Sequence, residues 1–313
     1  MPSSTSASEK LNATRAIALL LVLLLFYCGA LEVTARTKFT SISRVQRRIE
    51  TDKRVALGLQ PAAADGAKTV LLVGNSLLVH GVDPGKLHEE MAPRYSSAVL
   101  AIENTQYLDW YFGLRRLFAD GSRPSVIVLT LTTRQLLSRG IDGEYFAYQM
   151  MQERDILRVK GEAHLDTTMA SNLFFANRSA WLGNRSMIRN WLLGEVMPSV
   201  DHLTAYLPEK PAPLPSQDVI LQQSLARLQD AQDLCAQNGA RFIFVLPPVR
   251  GANDVEDPLR AAAGDRNIVV LVPFHAGEMP AEYFSDGFHL NPRGAAIFTE
   301  KLAQDLQHRL NQN

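Results

Sequence analysis

Five short stretches of the chain are apolar almost without interruption: Thr69 to Val73, Ala98 to Ile102, Val126 to Leu131, Phe242 to Leu246 and Ile268 to Val272. A strand with one wet face alternates apolar and polar residues, whereas a strand covered on both faces reads as a continuous apolar run. Between these runs lie longer segments at helical spacing. Among them are "YLDWYFGLRRLFADG", closed by a glycine suited to a helix C-cap, and "LQQSLARLQDAQDLCAQNG". Strand and helix in alternation predict an α/β fold, a flavodoxin-like three-layer sandwich around a parallel sheet of about five strands. A chain of 313 residues is long enough to bury such a core. Its 32 basic and 32 acidic residues cancel, which excludes the basic footprint of a nucleic-acid binder. Two cysteines, Cys28 and Cys235, make no disulfide framework.

The N-terminal "RAIALLLVLLLFYCGALE" has an uncharged core from Ala16 to Leu31, between Arg15 and Glu32. A bilayer-spanning helix needs about 20 residues and a signal-peptide core about 7–15, so this core lies between the two. The favoured assignment is a single-pass anchor at the inner membrane over residues 16–35, with 1–15 cytoplasmic and the C-terminal domain periplasmic. The alternative is a cleaved signal, for which "CGA" is a poor cleavage site, and "LFYC" is a weak lipoprotein box. Arg36, Lys38, Arg44, Arg47 and Arg48 follow directly, and the positive-inside rule pulls this cluster towards the cytoplasm, against that orientation.

Residues 36–67 read as a charged juxtamembrane helix or stalk and a small-residue linker, "PAAADGAK", so the folded domain is predicted over 68–313. The connection from Thr132 to Ala240 is too long for a structureless loop and is expected to hold a helical insertion over residues 140–225. Its two Asn-Arg-Ser triplets, at Asn177 and Asn184, read as chance rather than as glycosylation acceptors. The aromatics Trp110, Tyr111 and Phe112 read as helix packing rather than a sugar platform.

Chemistry is concentrated in two distant blocks. "LLVGNSLLVHGVD" places Ser76 at the end of the first apolar run, and "YFSDGFHLNPRGAAIF" places Asp286 and His289 three residues apart before a C-terminal helix. Asn291 and Pro292 suit the cap and first residue of that helix. In an open parallel sheet the loops after the strand ends share one edge, so the two blocks can meet there. A serine hydroxyl needs a neutral histidine to take its proton, and that histidine needs a carboxylate to hold its tautomer. The candidate roles are therefore Ser76 as nucleophile, His289 as base then acid, and Asp286 as orienting carboxylate. His80, four residues beyond Ser76, is either a pocket residue or a surface histidine at a helix start.

The pair of blocks resembles the SGNH, or GDSL-type, hydrolase superfamily in its membrane-anchored bacterial branch. In that family a Gly-Asp-Ser block follows the first strand and an Asp-x-x-His block precedes the last helix. Here Asn75 stands in place of the aspartate, and "DGFHLNPRG" matches the second block. The family places a glycine after the second strand and Gly-x-Asn-Asp after the third, both serving an oxyanion hole. This chain has "AIENTQYLDW" and "LTLTTRQLL" there. Asn104 is the positional match for the glycine, since asparagine tolerates a positive φ. Thr132, Thr133 or Arg134 falls where the asparagine belongs, and Thr133 is the candidate donor.

The resemblance implies a serine esterase or O-acyltransferase that passes an acyl group through a Ser76 ester to water or a sugar hydroxyl. It implies an acylated carbohydrate or other ester as substrate, acetyl esters of cell-envelope or exported polysaccharide above all. Polysaccharide-modification machinery is the expected partner, and no metal or organic cofactor is required. The rival is a catalytically weak or inactive member that binds glycan or scaffolds an envelope assembly. The missing Gly-x-Asn-Asp block is its support.

Overall fold

The computed structural model describes residues 7–39, 43–61, 66–196, 215–251 and 255–312. Strands β1 (Lys68–Gly74), β2 (Tyr95–Ala101), β3 (Val126–Thr130), β4 (Arg241–Val245) and β5 (Val269–Leu271) form one sheet, ordered β2-β1-β3-β4-β5. Every pairing is parallel, and at the carboxyl edge Gly74 stands opposite Ala101 on one side and Thr130 on the other. In chain order the helices are α1 (Ala7–Thr34), α2 (Arg44–Gly58), α3 (Ser76–Gly81), α4 (Pro84–Met91), α5 (Tyr107–Ala119), α6 (Thr133–Leu137), α7 (Glu144–Met150), α8 (Ile156–Glu162), α9 (Thr167–Arg178), α10 (Ala180–Val196), α11 (Gln217–Gln237), α12 (Glu256–Gly264) and α13 (Pro292–Asn311).

The continuous apolar runs have the cause expected of them. Leu71 and Val73 of β1 enter one core with Ile127, Leu129, Phe242 and Phe244, under α5, α11 and α12. Val70 and Leu72 enter the opposite core with Val128, Ile243 and Val245, under α3, α4 and α13. The sheet is thus covered on both faces, and α/β architecture follows. β1 and β4 begin one residue before their apolar runs and β2 three, because as an edge strand β2 tolerates the polar Ser96 and Ser97. Trp110, Tyr111 and Phe112 are buried helix packing, as expected.

Of the helix or stalk expected ahead of Lys68, a helix is found, α2, and it packs against the sheet domain. Ile49 and Ala56 of that helix are fully buried in the first core. Ser122 donates its hydroxyl to the Ala56 carbonyl at 2.6 Å, and Lys53 donates to the Gln149 carbonyl. The charged pattern concealed a narrow apolar seam, so the packed unit takes in residues 44–58. Ahead of it, the segment Asn12–Phe39 is helical, and its apolar 18-residue window has a mean hydropathy of 2.5 and is not buried at all. By length and composition it is able to cross a membrane, a test that a signal sequence also passes.

Helices α7 to α10 form the insertion after β3. Asn177 donates to the carbonyls of Ala147 and Met151, and Asn184 is buried with its amide on the Ala180 carbonyl. Both triplet asparagines are therefore packing residues.

Candidate active site

The chain order reverses between β1 and β3, and Ser76 follows β1 at that switch point, where open α/β sheets form their crevice. Gly74 is required by closeness: an added Cβ would stand 2.7 Å from the Thr130 carbonyl oxygen of β3. Asn75 then caps α3. Its side-chain oxygen accepts the Leu77 N–H at 3.0 Å, and its amide donates to the Thr105 carbonyl at 3.1 Å. The buried asparagine thus ties the turn holding Ser76 to the loop after β2. An aspartate has no proton to donate at neutral pH, so this contact needs the amide.

The second block folds as a tight loop braced on α13. Ser285 N–H bonds the His289 carbonyl at 2.9 Å, and Phe284 and Leu290 form an antiparallel bridge. Asn291 caps α13 by accepting N–H groups of Arg293 and Gly294 at 3.1 and 3.0 Å, as its residue type predicts. The Asp-x-x-His spacing is explained by the carboxylate. One oxygen of Asp286 accepts the backbone N–H groups of Phe288 and His289 at 2.8 and 2.7 Å, while the other receives His289 Nδ1 at 2.8 Å.

His289 Nε2 lies 3.0 Å from Ser76 Oγ. Residues 213 positions apart in sequence are therefore joined in one line, Ser76–His289–Asp286. With Nδ1–H donated to the carboxylate, the Nε2 lone pair faces the serine hydroxyl, the tautomer a base requires. Partial burial pushes the Asp286 pKa upward, but the two backbone N–H groups and the imidazole outweigh it and hold it down at about 2. The carboxylate is therefore ionised at any neutral pH. Its side chain is 46% exposed, against 17% for His289, so the array opens to solvent on the Asp286 side.

Two rings flank the imidazole. Phe288 packs with its centroid 4.1 Å from that of His289, and His80 with its centroid 4.6 Å away. Of the alternatives for His80, a position beside the site is the one found. Burial first, and then the charge of His289, lower its pKa. The signal was available in principle, since residues four apart on a helix share a face.

Asn104 lies in the loop after β2 with φ 63°, the left-handed conformation a glycine would otherwise supply. That loop is held three ways. Asn75 grips Thr105, buried Asp109 accepts the Gln106 N–H at 2.7 Å, and Arg48 of α2 donates to the Ala101 carbonyl at 2.9 Å and to Glu103 at 2.5 Å. In the sequence nothing sets Arg48 apart from the charged cluster around it. After β3, Thr132 is consumed as the cap of α6, exchanging bonds with Gln135 at 2.9 and 3.3 Å. Thr133 is buried, and its hydroxyl has no hydrogen-bond partner among the described residues. Neither Asn104 nor Thr133 is hydrogen-bonded to the Ser76–His289–Asp286 line. Among the described residues no group of three or more His, Cys, Asp or Glu could hold a metal ion.

No family model matches the chain, and no curated protein matches it. Solved structures do show similarity. A Bacteroides fragilis protein described as an acylhydrolase is 11% identical, covering 85% of this chain and 97% of its own, with a TM-score of 0.44. A GDSL-like lipase from Bacteroides thetaiotaomicron is 10% identical, covering 84% and 97%, with a TM-score of 0.39. A Veillonella parvula member of the lipolytic G-D-S-L family is 11% identical, covering 77% and 99%, also with a TM-score of 0.39.

Proposed function

We propose that the chain is a membrane-anchored serine ester hydrolase or O-acyltransferase of the SGNH/GDSL type. The observation that carries this reading is the Ser76–His289–Asp286 line at the switch point of the sheet, with hydrogen bonds of 3.0 and 2.8 Å. His289 Nε2 takes the Ser76 proton as Oγ bonds to the acyl carbon. The tetrahedral intermediate collapses, and the leaving alkoxide departs with the proton from His289. Water or a sugar hydroxyl then gives its proton to His289 and attacks the Ser76 ester, and His289 returns that proton to Ser76 Oγ as it leaves.

The oxyanion needs donors near Ser76. Ser76 opens α3, and the first N–H groups of a helix have no acceptor within it. The Ser76 backbone N–H, with the Asn104 loop beside it, is the assigned donor set. Thr133 sits at the same edge as a third candidate. A site with an incomplete set is slower by about 10²–10³ for each missing donor. Such a rate fits an enzyme specialised for its own acyl donor.

An open carboxylate side and an N-terminal helix suited to a bilayer favour a large substrate at the envelope. We assign acetyl esters of cell-envelope or exported polysaccharide, with α1 in the inner membrane and the sheet domain on the periplasmic side. Polysaccharide-modification machinery is the corresponding partner. The test is turnover of 4-nitrophenyl acetate and labelling by a fluorophosphonate probe, using the full chain in detergent beside Ser76→Ala. The expected result is labelling and hydrolysis that the substitution abolishes. Absence of both in the unmodified chain overturns the enzymatic reading and favours a glycan-binding component.

A further inference from the structure

The end of the N-terminal helix is joined to the insertion at one point. Glu32, in the last turn of α1, accepts the Ser179 hydroxyl at 2.7 Å and the N–H groups of Ala180 and Trp181 at 2.9 and 3.1 Å. Arg36 adds a bond to the Arg178 carbonyl at 3.5 Å. The corner between α9 and α10 is thus fixed where the apolar helix ends, and both helices lead away from it.

Each carries apolar surface turned to water. One turn before the corner, Phe174 and Phe175 line a groove of about 640 Å³ with Ile156, Leu157 and Ala170. Leu157 is 80% exposed and Phe175 56%. Arg154 and Lys160 also line this groove, with Glu153, whose charge is paired with Arg178. On α10 the far half presents Trp191, Leu192, Leu193 and Val196, the last 76% exposed. Single exposed apolar residues are ordinary, but a concentration of them in one element marks a surface with an occupant.

We propose that this occupant is the headgroup region of the bilayer that α1 spans, so that the insertion makes a second membrane contact. The inference rests on reading α1 as an anchor. Its physical basis is continuity: the corner is pinned at the end of the span, so the bilayer surface is already beside it. The composition fits that depth. Tryptophan favours the membrane interface, and arginine and lysine bury their stems while keeping their charges among anionic headgroups. The groove accepts acyl chain from the same surface.

The full chain is reconstituted into phosphatidylcholine–phosphatidylglycerol vesicles whose acyl chains carry bromine near the headgroup, which quenches tryptophan on contact. Flotation with the vesicles reads the anchor separately. The expected result is flotation, quenching of a component of the emission that Trp191→Phe removes, and a new quenched component when Phe175→Trp is added to Trp191→Phe. Flotation with the Trp191-dependent emission unquenched overturns the second contact and leaves the anchor standing. Unquenched emission that shifts with the protein-to-lipid ratio assigns the face to a second copy of the chain and overturns it as well. Failure to float removes the anchor, and the inference falls with it.

Discussion

Replacing Asp286 by asparagine separates the orientation of His289 from the packing of its loop. The side-chain oxygen that receives the Phe288 and His289 N–H groups can stay in place, and only the oxygen facing Nδ1 becomes an NH₂. Two donors then face each other unless the ring moves its proton to Nε2. That tautomer turns an N–H towards Ser76, and no base remains for the serine proton. Charge removal adds to the loss. A unit charge at ~4 Å is worth ~1 kcal/mol in water and ~4 kcal/mol at an effective dielectric of about 20. With 46% of its side chain exposed, Asp286 sits between these limits and is discounted for solvent. Taking ~2 kcal/mol for the charge gives about thirtyfold, and a comparable factor for the tautomer brings the loss in kcat to about 10³-fold. The assay is the initial rate on 4-nitrophenyl acetate with the full chain in detergent, with thermal unfolding showing that the loop still folds. A variant within about threefold of the unmodified rate, while Ser76→Ala is dead, refutes the assigned role of the carboxylate.

The same carboxylate predicts a pH dependence of stability. Its folded pKa of about 2 lies below the unfolded value, so the stabilisation is complete above about pH 4 and is lost as pH falls through about 2. Melting temperatures followed from pH 5 to pH 2 should fall less steeply in Asp286→Asn than in the unmodified chain. Asn75→Asp makes the block Gly-Asp-Ser yet sets a carboxylate against the Thr105 carbonyl in a buried contact, and a loss of ~1–3 kcal/mol in urea unfolding is expected. Arg48→Met keeps an apolar stem but frees the loop carrying Asn104. Ester hydrolysis should fall about tenfold in kcat with KM little changed, since the loop positions rather than binds.

What could be read in the sequence follows from how local each cause is. The strands were legible because burial on both faces leaves an unbroken apolar run, and β2 lost its first residues to the reading because its edge position admits serines. The Asp-x-x-His block was legible because the carboxylate serves its own turn and its own histidine within three residues. The contact with Ser76 could be expected only from the shared edge of a parallel sheet. Arg48, Asn75 and Glu32 act across separations of 30 to 149 residues through backbone carbonyls and amides, and such partners leave no pattern in side-chain order. The packing of α2 leaves little trace for a related reason: Ile49 and Ala56 are too few to outweigh the charges around them.

The packed position of α2 decides where a soluble version of the protein can be cut. Truncation at the linker before Lys68 would remove Ile49 and Ala56 from the core, expose the aliphatic underside of β2 and strip Ser122 of its acceptor. A cut between Thr34 and Ser43 discards the apolar helix and keeps the helix that closes the edge of the sheet. It also parts Glu32 from the corner at Ser179, so a soluble protein made this way needs another cap for the first turn of α10.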